Sequence, residues 1–219
     1  MPAALDHLVY AVPDLDAAIE EFAMKTGARP VAGGSHPGRG TRNALIGLRW
    51  RGSRRCYLEL LAPDPEQPDV NPATMMLDLG AVLSTAPRMH TWAIRPGDLD
   101  ATLARAAQAQ VEVGEAVSAS RVTPAGTTLS WRLAVPAPLG LAGLQPFLID
   151  WGAGGHPSGD PLPIVELLHL ELAHPQPALV GSRLDMLGVG PEIGAELRTE
   201  PSPAMTVTLA TPSGVVVLT

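Results

Sequence analysis

A carboxylate in the middle of an apolar run is the residue of this sequence that most clearly requires a chemical partner. Glu59 lies between Tyr57-Leu58 and Leu60-Leu61, and the length and residue types of this run predict a buried β-strand. Because an ionised carboxylate buried without partners costs on the order of several kcal/mol, Glu59 must be paired, protonated or bound to a metal ion. Its neighbours on the same face of the strand, Tyr57 and Leu61, are not cations. We therefore expect its partner to come from another strand.

A glycine-rich segment, residues 33–41, provides a second place where a ligand could be held. It contains four glycines and the polar side chains of His36, Arg39 and Thr41. It lacks the terminal Gly-Lys-Ser/Thr of a P-loop, and Asn43 stands where a dinucleotide-binding fingerprint has its third glycine. The segment is typical of a loop that lines a cleft, and equally of a solvated hairpin.

Cys56 is the only cysteine, which excludes an internal disulfide and every zinc site built from two or more thiolates. The neighbouring Arg54 and Arg55 would lower the pKa of its thiol. A cysteine within a strand is more often inert packing, however, so we do not expect a nucleophile. The sequence also lacks the Gly-x-Ser-x-Gly and His-Glu-x-x-His motifs of serine hydrolases and zinc proteases.

The elements that would position these residues recur three times along the chain. In each copy a histidine opens a short apolar run and a proline closes it six residues later, at His7–Pro13, His90–Pro96 and His169–Pro175. Such a run predicts a strand, because proline cannot continue a ladder of hydrogen bonds. Asp14 and Asp98 follow at positions suited to an N-cap, and each introduces a predicted helix.

Three strand-like runs follow each predicted helix, so the order strand, helix, strand, strand, strand is written three times. We therefore predict an α+β fold of three repeated βαβββ modules at residues 1–63, 89–152 and 164–219. Residues 64–88 and 153–163 are the linkers between them. Apolar residues at helical spacing predict a linking helix over Asn71–Ser84.

The composition excludes several classes of partner. The 219 residues carry a formal net charge of −7 with no block of like charge, so the basic field that nucleic-acid binding requires is missing. The first residues contain no basic and apolar secretory signal. The longest uncharged run, between Arg132 and Asp150, is broken by prolines and glycines unsuited to a membrane helix. We expect a cytoplasmic protein with no membrane and no nucleic-acid partner.

Several motifs resemble the vicinal oxygen chelate superfamily, and in particular its glyoxalase-like domain family. They are Leu5-Asp6-His7-Leu8-Val9-Tyr10, Asp14–Ala18, Gly33–Leu45, Tyr57–Pro63, Ser120-Arg121, Trp131-Arg132 and Pro146–Gly152. The resemblance covers residues 5–152 closely and the rest of the chain loosely. It implies glyoxalase/bleomycin-resistance-like curled mixed sheets, in which paired modules form a cup with a divalent metal ion on its inner wall.

By position, this resemblance implies that His7, His90 and Glu59 are metal ligands. Two histidines and one carboxylate suit Zn, Ni, Mn or Fe and leave a coordination position for the substrate. The fourth ligand position of the family falls near residues 147–149, where no ligand exists, and Asp150 is the nearest carboxylate. The alternative is a metal-free protein in which both histidines bond to the backbone and Glu59 pairs with an arginine.

The resemblance also implies residues that contact a small-molecule ligand, namely Asn43, Arg121, Trp131, Arg132 and Trp151. Arg132 and Trp131 alternate along a strand and therefore face opposite sides of the sheet. An arginine inside the cup would bind an anionic or carbonyl-bearing ligand through forked hydrogen bonds. The alternative is a surface Arg132 beside a buried Trp131. Glu59 and His36 are the candidate catalytic residues.

Two functions follow as hypotheses. The first is a metal-dependent lyase, isomerase or dioxygenase acting on a small oxygen-rich or carbonyl-containing molecule, with the metal ion polarising substrate oxygens and Glu59 moving a proton. The second is a metal-free module that binds or sequesters a small molecule, with Trp92, Trp131 and Trp151 stacking on it. We expect the third module either to cover a sheet edge or to dock on its twin in a homodimer, since an uncovered edge invites uncontrolled pairing.

Overall fold

The computed structural model describes residues 3–82, 86–123 and 126–219. Its elements occur three times in the order strand, helix, three strands, which confirms the predicted α+β fold class. The first copy consists of β1 (Ala4–Ala11), α1 (Leu15–Thr26), β2 (Val31–His36), β3 (Thr41–Trp50) and β4 (Ser53–Pro63). The second consists of β5 (Arg88–Arg95), α2 (Leu99–Gln108), β6 (Ala116–Val122), β7 (Thr128–Ala134) and β8 (Phe147–Asp150). The third consists of β9 (Ile164–His174), α3 (Pro177–Met186), β10 (Glu196–Thr199), β11 (Ala204–Thr211) and β12 (Gly214–Leu218).

Side-chain caps set the start of the first two helices, as predicted. Asp14 Oδ1 accepts a hydrogen bond of 3.0 Å from the Ala17 amide, and Asp98 Oδ1 accepts one of 2.9 Å from the Ala101 amide. Gly27 ends α1 with a φ of 71°, a left-handed conformation that glycine adopts without strain. No helix among the described residues is both long enough and apolar enough to cross a membrane.

The strands form one curled twelve-stranded sheet in the order β12-β11-β9-β3-β4-β1-β5-β8-β7-β6, with β2 paired to β3 and β10 to β9. β1 and β5 pair antiparallel at its centre and join the first two modules. One face packs against the helices through residues such as Leu8, Leu58 and Trp92. The other face carries Val9 and Phe147 and is concave, and β2 and β6 contact each other across its open side. This concave face is the inner wall of the cup.

The third module extends the sheet of the first module. β9 pairs in parallel with β3 over Gly47–Arg49, and Trp50 Nε1 donates a hydrogen bond of 2.7 Å to the Ile193 carbonyl. Within this module β9 lies between β10 and β11, so its strands are paired differently from those of the first two modules. Of the two expected roles, the structure therefore displays the one in which the third module covers an edge of the first.

The segment after β4 differs from the predicted helix over Asn71–Ser84. Its described part contains two short 3-10 turns, Pro72–Thr74 and Met76–Val82, while positions 83 and 84 lie outside the described residues. The chain takes a left-handed turn at Leu77 and Asp78, with φ values of 56° and 52°. It then folds back so tightly that a Cβ atom on Gly80 would lie 1.9 Å from the Pro72 carbonyl oxygen. Helical spacing of apolar residues did not reveal this reversal.

Candidate functional site

His7 and Glu59 face each other across a small cavity in the concave face. β1 and β4 are parallel neighbours in which Val9 lies opposite Glu59, so the side chains of His7 and Glu59 project to the same side. His7 Nε2 is 3.7 Å from Glu59 Oε2, and the two residues are 4% and 5% exposed. The cavity has a volume of about 30 Å³, roughly the volume that one water molecule occupies. Other predicted site residues on its wall are His36, Asn43, Arg121, Trp131 and Trp151.

Both facing groups are fixed from behind. His7 Nδ1 donates a hydrogen bond of 2.7 Å to Asp6 Oδ1, which leaves Nε2 as the atom that points toward Glu59. The imidazole also stacks on the Tyr57 ring at a centroid distance of 4.7 Å. Glu59 Oε1 accepts a hydrogen bond from Asn43 Nδ2, so the second oxygen of the carboxylate faces His7. The pair is therefore oriented by the protein before any ligand binds.

Asp6 is a fully buried carboxylate that holds four partners. Besides His7, its oxygens accept hydrogen bonds from Arg95 Nη1 at 2.9 Å, Trp151 Nε1 at 3.1 Å and His156 Nε2 at 3.1 Å. Burial alone would raise the pKa of Asp6, but the bonds from His156 and His7 outweigh it and hold the pKa well below its usual range. Asp6 therefore stays ionised and fixes the orientation of His7.

Sequence reasoning missed Asp6, Tyr57 and His156 as site residues. Asp6 had a usable signal, because it is a carboxylate in a predicted apolar strand, as Glu59 is. Tyr57 lies in an apolar run, and no feature of the surrounding sequence marks it as a site residue. His156 lies in the linker that precedes β9, and only the three-dimensional fold brings it within reach of β1.

His36 and Asn43 come from the glycine-rich hairpin formed by β2 and β3. His36 Nδ1 hydrogen-bonds to Thr41 Oγ1 at 2.9 Å, and its ring contacts Trp131 edge-on. Burial lowers the pKa of His36 and outweighs the opposing charge of Glu59, and the charge of Arg121 adds to the lowering, so this imidazole is mainly neutral at pH 7. Gly33 is required here because a Cβ atom on it would lie 2.2 Å from Asn43 Oδ1. One side of the hairpin thus lines the cavity.

Arg121 brings a positive charge to the cavity wall. It lies on β6, is 3% exposed, and donates a hydrogen bond to the Gly33 carbonyl on β2, the strand that β6 contacts across the open side of the cup. Among the described residues no carboxylate forms an ion pair with it. A buried guanidinium without a carboxylate partner is suited to bind an anionic or carbonyl oxygen of a ligand through its forked N–H groups.

Arg132 does not line the His7–Glu59 cavity, and lies instead beside a separate surface depression next to Trp151. It alternates with Trp131 along β7, and its half-exposed guanidinium forms two hydrogen bonds with Asp100 on α2, of 3.1 and 2.7 Å. Trp131 faces inward instead and packs against Trp151 at a centroid distance of 5.1 Å. Trp92 is buried on the helix-covered face, so it cannot stack on a ligand in the cup.

His90 does not join His7 and Glu59. Its Nε2 donates a hydrogen bond of 2.6 Å to the Leu77 carbonyl, and it does not line the cavity. The first strands and the first helices of the two modules begin 84 residues apart (88 − 4 and 99 − 15), whereas His7 and His90 are 83 apart. The difference is one residue, because Gly97 separates the proline from the N-cap only in the second module. Thr91 consequently occupies the position equivalent to His7.

The same offset identifies the fourth position of the implied ligand set. Val9 pairs with Glu59 in the first module, and the equivalent Ala93 pairs with Phe147 in the second. Two of the four positions therefore hold Thr91 and Phe147, neither of which is a usual ligand. Among the described residues no three His, Cys, Asp or Glu side chains converge as a metal-holding group, while protein metal sites generally use three or four such ligands. The residues present do not fit the divalent metal centre that the resemblance implies.

Cys56 has no place in this chemistry. Its Sγ lies 3.5 Å from the Leu48 carbonyl, in the core on the helix-covered face. Burial raises the pKa of its thiol to about 12, so the thiolate is not populated at neutral pH. The interpretation as inert packing fits this position.

Comparison with known proteins identifies the family. A family model described as glyoxalase-like domain matches residues 5–188, while no curated protein gives a match. A hypothetical protein from Staphylococcus aureus superimposes with a TM-score of 0.67 at 13% identity, over 92% of this chain and 88% of that one. Methylmalonyl-CoA epimerase from Streptomyces coelicolor gives 0.47 at 20% identity over 72% and 100%, and that from Mycobacterium tuberculosis gives 0.41 at 23% over 66% and 84%. The first superposition shows a shared fold, and the family match spans far more than half of the sequence, so the chain belongs to the glyoxalase-like domain family.

Proposed function

We propose that this protein binds a small carbonyl compound at the His7–Glu59 cavity and moves a proton at the carbon next to the carbonyl group, as isomerases and lyases do. The observation that carries the proposal is the facing pair itself. His7 Nε2 and Glu59 Oε2 are 3.7 Å apart and both residues are buried, and each is held in place by a partner behind it. General acid–base catalysis requires such a positioned pair.

In this mechanism the Glu59 carboxylate takes the proton from the carbon. The electron pair of the C–H bond forms a carbon–carbon double bond, and the carbonyl electron pair moves onto oxygen to give an enolate. His7 Nε2 lies within reach to exchange the proton with Glu59 and return it to carbon. Proton and electrons are both conserved, so no oxidant or reductant is consumed.

Arg121 supplies the charge that the enolate oxygen needs. Its buried guanidinium lies on the same wall of the cavity as His36 and Glu59, and a fixed positive charge in a water-poor site stabilises developing anionic charge strongly. His36, neutral at pH 7, positions the ligand by hydrogen bonding and carries no charge that would compete with Arg121.

Exchange of carbon-bound hydrogen with solvent tests the proposal. The protein is incubated in deuterated water with a panel of 2-oxo acids and 1,3-dicarbonyl compounds, and deuterium uptake is followed by proton NMR. Glu59→Gln keeps the shape of the side chain and removes the base, so we expect the exchange rate to fall at least about 100-fold. Glu166→Gln is the control, because Glu166 is a half-exposed carboxylate on β9 that pairs with Arg49. No exchange with any compound, or equal rates in wild type and Glu59→Gln, would contradict the proposal.

A metal-free binding module is the second candidate, and the indole pair Trp131–Trp151 on the cavity wall favours it. Ligand binding would then quench the fluorescence of these indoles without any hydrogen exchange. Equal affinity in wild type and Glu59→Gln, with no deuterium uptake in either, is the result that would select binding over catalysis.

A further inference from the structure

A surface groove adjoins the His7–Glu59 cavity on the far side of Arg121. It is formed where β2, β7 and the linker before β9 meet, and has a volume of about 300 Å³. Its walls are mainly apolar, with Ala32, Leu45, Leu129, Pro161 and Leu162, and its rim also carries Thr123, Thr127 and the exposed carboxylate of Asp160. Arg121 is the residue that lines both the groove and the cavity, so the two spaces meet at its guanidinium.

The sizes of the two spaces indicate how a ligand must lie. A cavity of about 30 Å³ admits only the reacting end of a molecule, since small-molecule sites generally measure roughly 300 Å³ or more. The groove has space for roughly ten groups of the size of a water molecule. A ligand whose reacting carbon reaches Glu59 must therefore leave its remaining atoms in a neighbouring depression.

Two other depressions border the cavity, and both suit an apolar anion poorly. One lies behind Met76 and Leu77 and carries the carboxylates of Asp78 and Glu115 together with the exposed side chain of Arg39. The other lies beside Trp151 and is lined by serines, by Asp150 and by Arg132, whose guanidinium is already paired with Asp100. Only the groove beside Arg121 combines apolar walls with a buried positive charge that has no carboxylate partner among the described residues.

We propose that this groove holds the apolar tail of the ligand, and that the substrates are 2-oxo acids with an apolar chain. The inference rests on the proposed function. The carboxylate and ketone oxygens bind the N–H groups of Arg121 that the Gly33 carbonyl does not use. The chain runs along Ala32 and Leu129, and the carbon between ketone and chain is the one whose proton Glu59 removes.

Binding of a homologous series tests this substrate class. Affinities of straight-chain 2-oxo acids, from 2-oxobutanoate to 2-oxodecanoate, are measured by isothermal titration calorimetry on Glu59→Gln, which prevents turnover. Each added methylene should tighten binding about fourfold until the groove is filled. Ala32→Phe fills the groove from an exposed position, and it should abolish the gain in affinity that long chains bring. Met24→Phe, at an exposed site on α1, is the matched control.

The outcomes separate this inference from the proposed function. Affinity that rises with chain length in the parent and Met24→Phe, but not in Ala32→Phe, supports the groove as the tail site. A flat series, or equal gains in Ala32→Phe, overturns it even if hydrogen exchange is observed. Rising affinity together with no hydrogen exchange in wild type supports the groove and contradicts the chemistry proposed above. Arg121→Gln should weaken every member of the series by a similar factor, and unchanged affinities would overturn the role of Arg121 in holding the head group.

Discussion

Asp6 is the charge on which the geometry of His7 depends. It is fully buried, yet both of its oxygens accept hydrogen bonds. The donors are His7 on β1, Arg95 on β5, Trp151 directly after β8, and His156 in the linker before β9. Removing such a carboxylate is costly, because the partly buried Arg95 and the histidine donors then lose their acceptor. The site is therefore coupled to the stability of the fold.

We expect Asp6→Asn to lower the free energy of unfolding by about 3–5 kcal/mol, since it leaves the guanidinium of Arg95 without its counter-charge. Urea denaturation followed by circular dichroism measures the change. Asp16→Asn is the control, because the pair between Asp16 and Arg42 is exposed on the Asp16 side and should contribute at most about 1 kcal/mol. Equal stabilities of the two variants would contradict the assigned role of Asp6.

Two buried histidines make the fold sensitive to mild acid. Burial lowers the pKa of both His36 and His90 below the unfolded value of 6.5. As the pH falls through 6.5, these two histidines become protonated in the unfolded chain but stay neutral in the folded chain. The free energy of unfolding is therefore highest above that pH and decreases below it. We expect the free energy of unfolding to decrease from pH 7 to pH 5. His36→Gln should flatten this dependence, whereas His169→Gln, at an exposed position on β9, should leave it intact; an unchanged slope in His36→Gln would contradict the argument.

At the scale of elements, local signals located the strands and helices but did not set their register. Proline and N-cap aspartate act within a few residues, which is why β1, α1, β5 and α2 could be predicted from the repeat. The single extra residue Gly97 moved the strand relative to the helix, and a shift of one residue turns a side chain to the other face of a sheet. His90 was therefore predicted at the position that Thr91 occupies, whereas Glu59 faces His7 as its own strand predicted. The place of His156 in the site depends on contacts between distant segments, which no local pattern encodes.

The register of β5 against β1 predicts how the chain responds to metal ions. With only His7 and Glu59 as ligand-type side chains at the equivalent positions, we expect no saturable binding of Zn²⁺ in calorimetric titration of the chelator-treated wild type. Thr91→His places a third ligand on the same face as Val9 and should produce measurable binding. His90→Asn should change nothing. Zinc binding by the wild type that disappears in His90→Asn would show that the register argument is wrong.

At the scale of the whole molecule, the third module completes the core of the first. Residues of β9, β11 and α3 belong to the same apolar cluster as β3 and α1, and the Met89 amide donates to the terminal Thr219 carbonyl at 2.9 Å. The repeat predicted that the third module exists. It could not predict that β9 would pair with β3, because strand pairing depends on which edges are free once the cup has closed. Docking on a second copy through the exposed Val215 and Val217 of β12 stays a prediction.

Removing residues 164–219 should therefore prevent cooperative folding of the remaining chain. The deletion uncovers the edge of β3 at Gly47–Arg49 and exposes core residues such as Leu48, and an uncovered apolar edge promotes aggregation. We expect the truncated chain to be insoluble, or soluble without a cooperative unfolding transition in urea. Trp50→Phe in the full chain is the graded counterpart. It removes the bond to the Ile193 carbonyl and part of a buried ring, and should cost about 2–4 kcal/mol while keeping the transition cooperative. The opposite result would be a truncated chain that is monomeric by light scattering and unfolds as cooperatively as the full chain. It would show that the first two modules fold without the third, and that β9 is not needed to keep the cup closed.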